Sequence, residues 1–324
     1  MAAATAICLG GCGKQSTLAP HSPQSHDIRT LWWWMFVVAA IVFLGAIAML
    51  VYGWIRRGKR GLPFVGESKR AENTLVVVFG IAIPVVILVA LFFVSDVYVL
   101  GKTDAPDPRS TKLTVEVTGH QWWWEVRYPG TAAVTADEIH IPAQTEVNVV
   151  GTTADVIHSF WVPQLNRKID LIPGRRNRVG LYADSPGIYR GQCAEFCGLQ
   201  HSHMAFYVIA DPPDQFRAWL ANMAADAPQP AGPAQRAGRS LFLNDQGASC
   251  HTIRGTSAQG QIGPDLTHLA SRSTIAALTL PNDSAHLQAW IRDPQHFKPG
   301  NKMPGLNLSD ADIAAIVTYL RSLH

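Results

Sequence analysis

The chain has 324 residues, 48% hydrophobic and only 16% charged, against roughly 25% charged for a typical soluble domain. Ten Trp, twelve Phe and seven Tyr exclude disorder throughout, and a net charge of +3 is too small to point to nucleic acid as a partner. The length suits about two domains, and the shortage of charge points to membrane segments.

At the start, Leu9-Gly10-Gly11-Cys12 resembles a bacterial lipobox, although the stretch before it lacks the basic region of a full signal. Residues 1–26 therefore read as a signal or lipobox segment with Cys12 as the acylation candidate. Two uncharged runs follow, 26 residues between Arg29 and Arg56 and 23 between Glu72 and Asp96. Each is long enough for a membrane helix, which needs about 20 residues. The expected hairpin occupies 27–100, with helices near 31–55 and 74–98. Trp32-Trp33-Trp34 and Trp54 suit the aromatic belt. The basic residues Arg56, Arg57, Lys59, Arg60, Lys69 and Arg70 put the connecting loop on the cytoplasmic side and both termini outside. Pro84 is tolerable in a membrane helix.

Beyond the hairpin the texture changes. Lys112–Thr118 alternates apolar and polar residues, Asp137–Ile141 less cleanly, and Glu146–Val150 and Asn177–Tyr182 are further short strand candidates, with Pro and Gly punctuation between. This predicts an antiparallel sandwich or barrel over 101–222, closed by a short helix at 211–222. Residues 223–238, rich in Ala, Pro, Gln and Gly, read as a linker. The last unit, 239–324, is helical in texture, with Ser309 and Asp312 as a cap for a helix carrying Ile313, Ile316, Val317 and Leu320.

The chemistry concentrates in Cys193-Ala-Glu-Phe-Cys197-Gly-Leu-Gln-His201-Ser-His-Met204, with His158 upstream at the end of a predicted strand. Thiolate, imidazole and thioether together select copper over hard cations, and a Met donor argues against structural zinc. Two Cys with two His suggest two metals bridged by sulfur; a Cys193–Cys197 disulfide is the competing reading. Phe160, Trp161, Phe196 and Phe206 would form an apolar shell. His120, in the block Gly119–Glu125, reads as a hydrogen-bonded structural residue.

The spacing His, 34 residues, Cys-x-x-x-Cys-x-x-x-His-x-x-Met resembles the copper A site of subunit II of haem-copper cytochrome c oxidases, over about 27–222. The resemblance implies a cupredoxin-like sandwich and a binuclear copper A centre. Cys193 and Cys197 would bridge the coppers, His158 and His201 would bind one each, and Met204 and the Glu195 carbonyl would be weak outer ligands. It also implies magnesium at the Glu195 side chain, at the boundary with subunit I. The family register selects His201 over His203. Trp122, the first Trp of Trp122-Trp123-Trp124, takes the family's electron-accepting place at the surface above the copper, while Trp124 reads as core. Arg167–Arg175 resembles a block near subunit I. Many relatives carry a Glu before the Pro of the second helix; here Val77 stands there and Glu72 is the nearest carboxylate, which leaves a role for Glu72 in proton uptake in doubt.

Gly247-Ala-Ser-Cys250-His251 stands where a c-type haem motif reads Cys-x-x-Cys-His. With Gly263-Pro264 and Lys302-Met303-Pro304, residues 233–324 resemble a class I cytochrome c. His251 would be the proximal haem ligand, Met303 the distal one, and Pro264 would pack on the haem edge. Gly247 cannot form a thioether. A haem linked through Cys250 alone, a non-covalent haem and a haem-free domain are all open, and the joint presence of Cys250, His251 and Met303 favours haem.

The resulting expectation is subunit II of a bacterial aa3/caa3-type oxidase with a fused cytochrome c domain. It would work in the plasma membrane with subunits I and III and a cytochrome c donor. A copper-binding assembly protein or the copper subunit of a nitric oxide reductase are the alternatives.

Overall fold

The computed structural model describes residues 15–56, 69–107, 110–244 and 247–324. The lipobox-like segment with Cys12, and most of the basic loop, lie outside the described residues. The chain divides into two compact units, His26–Asp104 on one hand and Ala105–His324 with the residues up to Ser25 on the other.

The first unit contains two long helical stretches. Helix α1 spans Pro23–Arg56. The second stretch runs through α2 (Lys69–Val77), a π-helical segment Val78–Ala82, α3 (Ile83–Val94), a second π-helical segment Ser95–Leu100 and α4 (Gly101–Thr103). Pro23–Ile55 and Asn73–Thr103 are each long and apolar enough to cross a membrane. Both exceed the expected 31–55 and 74–98, because helix propagation adds a hydrogen bond per residue and does not stop where the apolar run ends. Pro84 sits in the first turn of α3, directly after the wider π segment, where a missing N–H is least disruptive.

The second unit begins with a two-sheet sandwich. One sheet has the order β3 (Val134–Ala136), β2 (Trp123–Arg127), β1 (Leu113–His120), β5 (Val147–Thr153), β8 (Asn177–Leu181). The other has β4 (Glu138–Pro142), β10 (Ala205–Asp211), β9 (Gly187–Cys193), β6 (His158–Trp161), β7 (Ile169–Leu171). Strand β1 runs antiparallel to β2 and parallel to β5, and β10 runs antiparallel to β9 and parallel to β4. The inner faces meet through Val115, Val117, Trp124 and Val126 from one sheet and Ile139, Ile141, Phe160 and Phe206 from the other, all buried. This is the alternation expected of a sandwich with one face of each sheet inside. His158 opens β6 rather than ending a strand, and the block 167–175 contributes β7. Helix α5 (Pro213–Ala224) closes one side, its Trp219 stacked on His140 at 4.0 Å.

The helical part follows. Residues 225–232 are irregular, but α6 (Pro233–Asn244) already begins inside the stretch expected to be linker. Pro at the first position, its fixed φ suited to a helix start, explains the early onset. Then come α7 (Gly247–Cys250), the two-residue pair β11 (Thr274–Ile275) and β12 (Leu280–Pro281), α8 (Ser284–Arg292), α9 (Pro294–Phe297) and α10 (Asp310–Leu320). Ser309 caps α10 as expected, its hydroxyl accepting from the Asp312 amide at 3.1 Å. The crossing of α6 with α10 depends on Gly238, where a Cβ would lie 2.0 Å from the Ala315 carbonyl oxygen.

Candidate metal centre and haem cleft

Strand ends and one loop assemble the metal candidates. His158 begins β6, Cys193 ends the neighbouring β9, and Cys197, His201 and Met204 follow on the connection to β10. Phe160 pairs with Cys193 across the two strands, which sets His158 beside the cysteine loop. The two sulfurs are 3.8 Å apart, far beyond the roughly 2.05 Å of a disulfide, and both cysteines are free. Cys193 Sγ lies 3.8 Å from His158 Nδ1 and 3.2 Å from the Glu195 carbonyl. Cys197 Sγ lies 3.6 Å from His201 Nδ1 and 3.7 Å from Met204 Sδ. His158, Cys193 and Cys197 put donor atoms within 4.8 Å of one another, the one such trio among the described residues. His203 turns aside, its Nδ1 at 2.9 Å from Gln200 Oε1.

The electrostatics suit deprotonated sulfur. A hydrogen bond from Cys197 holds the Cys193 thiol well below the usual range despite burial, and the same shared proton pushes Cys197 up. A cation in place of that proton would release both thiolates. Sequence reasoning missed Asp155. Its Oδ1 is 2.9 Å from His158 Nε2, and it also accepts from the amides of Gln121 and Val156 at 2.7 and 2.8 Å. Burial works against the Asp155 charge, but these donors outweigh it and hold the carboxyl well below the ordinary carboxylate range. Asp155 thereby keeps the His158 Nε2–H occupied and Nδ1 turned to the sulfurs, the outer-shell arrangement common to metal-binding His.

The apolar shell differs in part from expectation. Phe160 and Phe206 stack at 4.7 Å beneath the site and Trp124 meets both, but Phe196 is 77% exposed. It sits between the two cysteines of the loop, and its one ring contact among the described residues is with His201, at 5.8 Å. His120 stacks on Trp123 at 4.3 Å, and its buried Nε2 has no hydrogen-bond partner among the described residues. Trp122 is not at the surface: it is 8% exposed, because Gly300 of the C-terminal domain packs over its ring. Its Nε1 donates to the Cys197 carbonyl at 3.0 Å, and Gln121 Nε2 donates to the same oxygen at 2.8 Å.

Cys250, His251, Pro264 and Met303 line one mainly apolar cleft of about 1370 Å³, mouth included, with Trp122, Trp123 and Lys298 also at its wall. His251 Nδ1 is 2.8 Å from the Pro264 carbonyl, so it donates there and leaves the Nε2 lone pair free; burial lowers its pKa and keeps the ring neutral. Gly263 is required beside it, since a Cβ there would come within 2.4 Å of His251 Cε1. Arg272 Nε and Thr274 Oγ1, both in this lining, are buried without partners among the described residues. Unpaired donors in an apolar cleft fit a flat apolar group with a carboxylate edge, as a haem is. At Gly247 a Cβ would meet the Phe242 ring at 2.7 Å, so an aromatic ring fills the seat a first thioether cysteine would need.

The family described as cytochrome c oxidase subunit II, periplasmic domain, matches residues 131–210, and the cytochrome c family matches residues 235–324. Cytochrome c oxidase subunit 2 of Alkalihalophilus pseudofirmus is 33% identical over 98% of this chain and 94% of that protein. The protein of the same name from Bacillus sp. strain PS3 is 30% identical at the same coverage. Among solved structures, the periplasmic domain of subunit II of cytochrome oxidase from Bradyrhizobium japonicum is 30% identical over 37% of this chain and 96% of its own, with a TM-score of 0.35.

Proposed function

The chain belongs to the cytochrome c oxidase subunit 2 family, and we propose that it passes electrons from an external cytochrome c to subunit I of a bacterial haem-copper oxidase. Oxygen reduction and proton pumping would take place in subunit I, so this chain makes and breaks no bond itself. Cys193 and Cys197 would supply thiolates, His158 and His201 imidazoles, and Met204 and the Glu195 carbonyl weaker donors, to hold a two-copper centre. His251 and Met303 would hold a haem iron, with Cys250 as its single thioether attachment. When bound, these groups supply one-electron redox chemistry.

The chain's own residues do the rest. Ligands on strand ends of a stiff sandwich move little, which suits rapid electron exchange. Trp122, between the haem cleft and the Cys197 carbonyl, supplies the bonded contact linking the two sites. The Glu195 carboxylate has no metal-binding trio around it among the described residues, so a magnesium ion there would draw its other ligands from subunit I. With the apolar hairpin in the plasma membrane, alongside subunits I and III, both remaining domains would face outward.

The observation that carries this reading is the convergence of sulfur and imidazole donors, 3.6–3.8 Å apart, around two unbonded sulfurs, with the Glu195 carbonyl 3.2 Å from one of them. Metal analysis and absorption spectroscopy of the purified full-length protein test it. Two coppers with the purple band of a mixed-valence pair, and one haem surviving a denaturing gel, are expected. Zinc or no metal would overturn the reading. Readily exchanged copper without the purple band would favour a copper-delivery role instead.

A further inference from the structure

We propose that Lys298 sets the register of the C-terminal domain on the sandwich, by placing its ammonium in a cup of carbonyls drawn from both; the inference deepens the electron-transfer reading and rests on it for its purpose. Lys298 follows α9 in the turn Phe297-Lys298-Pro299-Gly300 and is 2% exposed. Its Nζ donates to the Trp122 carbonyl at 2.8 Å, the His203 carbonyl at 2.9 Å and the Ala276 carbonyl at 3.2 Å. Three N–H donors thus meet three acceptors. Lysine is almost never buried without compensation, and here the compensation is geometric.

The acceptors are significant. Trp122 and His203 flank the metal candidates from two sides: Trp122 is bonded to Cys197, and His203 stands two residues past His201. One ammonium therefore grips the aromatic contact and the ligand turn together. The third acceptor, Ala276, begins a run of three non-glycine residues with positive φ: 55°, 55° and 65° at Ala276, Ala277 and Leu278. Such conformations persist where surroundings over-determine them. The surroundings here belong to the sandwich: the Ala277 amide donates to Asp137 Oδ2 at 3.1 Å, and the Ser273 amide donates to Glu138 Oε1 at 2.8 Å. Overall charge cannot impose the register, since residues 101–222 carry 11 basic and 13 acidic side chains and residues 223–324 carry 8 and 7. A buried cation with fixed acceptors can, because any other docking leaves it unpaired.

Amide hydrogen exchange of the full-length chain, with and without bound metal and haem, tests the latch. The Ala277 and Ser273 amides report docking directly, while β10 and α10 report the integrity of each domain. Lys298→Met is expected to speed exchange over 273–278 at least about tenfold, the loss of one charged hydrogen bond or more, leaving β10 and α10 protected. In the loaded protein it should slow equilibration between haem and copper after photoreduction, with both midpoint potentials unchanged. Exchange over 273–278 and equilibration both within twofold of the unaltered protein would overturn the proposal. If Lys298→Met also unprotects α10, Lys298→Gln replaces it under the same criteria. Absence of redox centres in the unaltered protein would overturn the functional reading instead, and the exchange measurement on the unloaded chain still decides the latch.

Discussion

Asp155 shows how a residue outside the recognised motif can control it. Its carboxylate accepts from His158 Nε2 and so chooses which ring nitrogen faces the sulfurs. Asp155→Ala is expected to weaken copper binding about 10- to 100-fold, the usual cost of losing such a partner, measured by competitive copper titration. Gly247 offers a second test. Gly247→Cys alone should add no second thioether, because its Cβ collides with Phe242, whereas Gly247→Cys with Phe242→Ala makes room. The pyridine haemochrome spectrum separates one link from two, and Cys250→Ser should abolish haem retention on a denaturing gel. The cluster from Cys193 to Met204 was legible because its donors lie within twelve residues of one another. Asp155 and Lys298 were not, since their partners are an imidazole nitrogen turned by folding and main-chain carbonyls that leave no mark on residue type.

Among the elements, longer strands with a visible period could be read more easily than the shortest ones. Strand β1 alternates buried with half-buried residues along its inner length, and its period of two is visible in the sequence. Strand β6 is buried at three of four positions and β7 has three residues, too few for a period to declare itself. The linker was overextended because α6 carries Pro, Gly and Ala in its first half; its periodic apolar residues, Leu241 to Leu243, come only at the end. Those small residues have a purpose, since Gly238 lets α6 approach the Ala315 carbonyl. Gly238→Ala is therefore expected to destabilise the C-terminal domain by about 1–3 kcal/mol, the range for overpacking, seen as a lower midpoint for its thermal transition while the sandwich transition stays put.

At the scale of the whole molecule, the seam between sandwich and C-terminal domain carries its own proton linkage. Burial pushes the Asp137 carboxyl up to about 6, opposed by the Trp124 amide and the nearby Lys298 and Arg272 cations; Glu138 faces Ser273 beside it. Undocking would expose part of the Asp137 carboxyl to water and lower its pKa from that value, with the Trp124 amide still bonded to it. The docked form therefore binds more protons on the acid side of about pH 6, and Asp137 favours docking at low pH and progressively less as pH rises through 6. Lys298, lowered by burial only to about 8, stays charged across that window. Exchange over 273–278, corrected for intrinsic rates, should accelerate between pH 5 and 7, and Asp137→Asn should flatten the dependence. The covered Trp122 has a broader consequence. With its ring beneath Gly300, Trp122 offers a visitor little surface, so on the proposed reading a redox partner would meet residues 235–324 first. On that reading, exchanging residues 235–324 alone would change which reductant can dock while leaving the sandwich and its cysteine loop as they are.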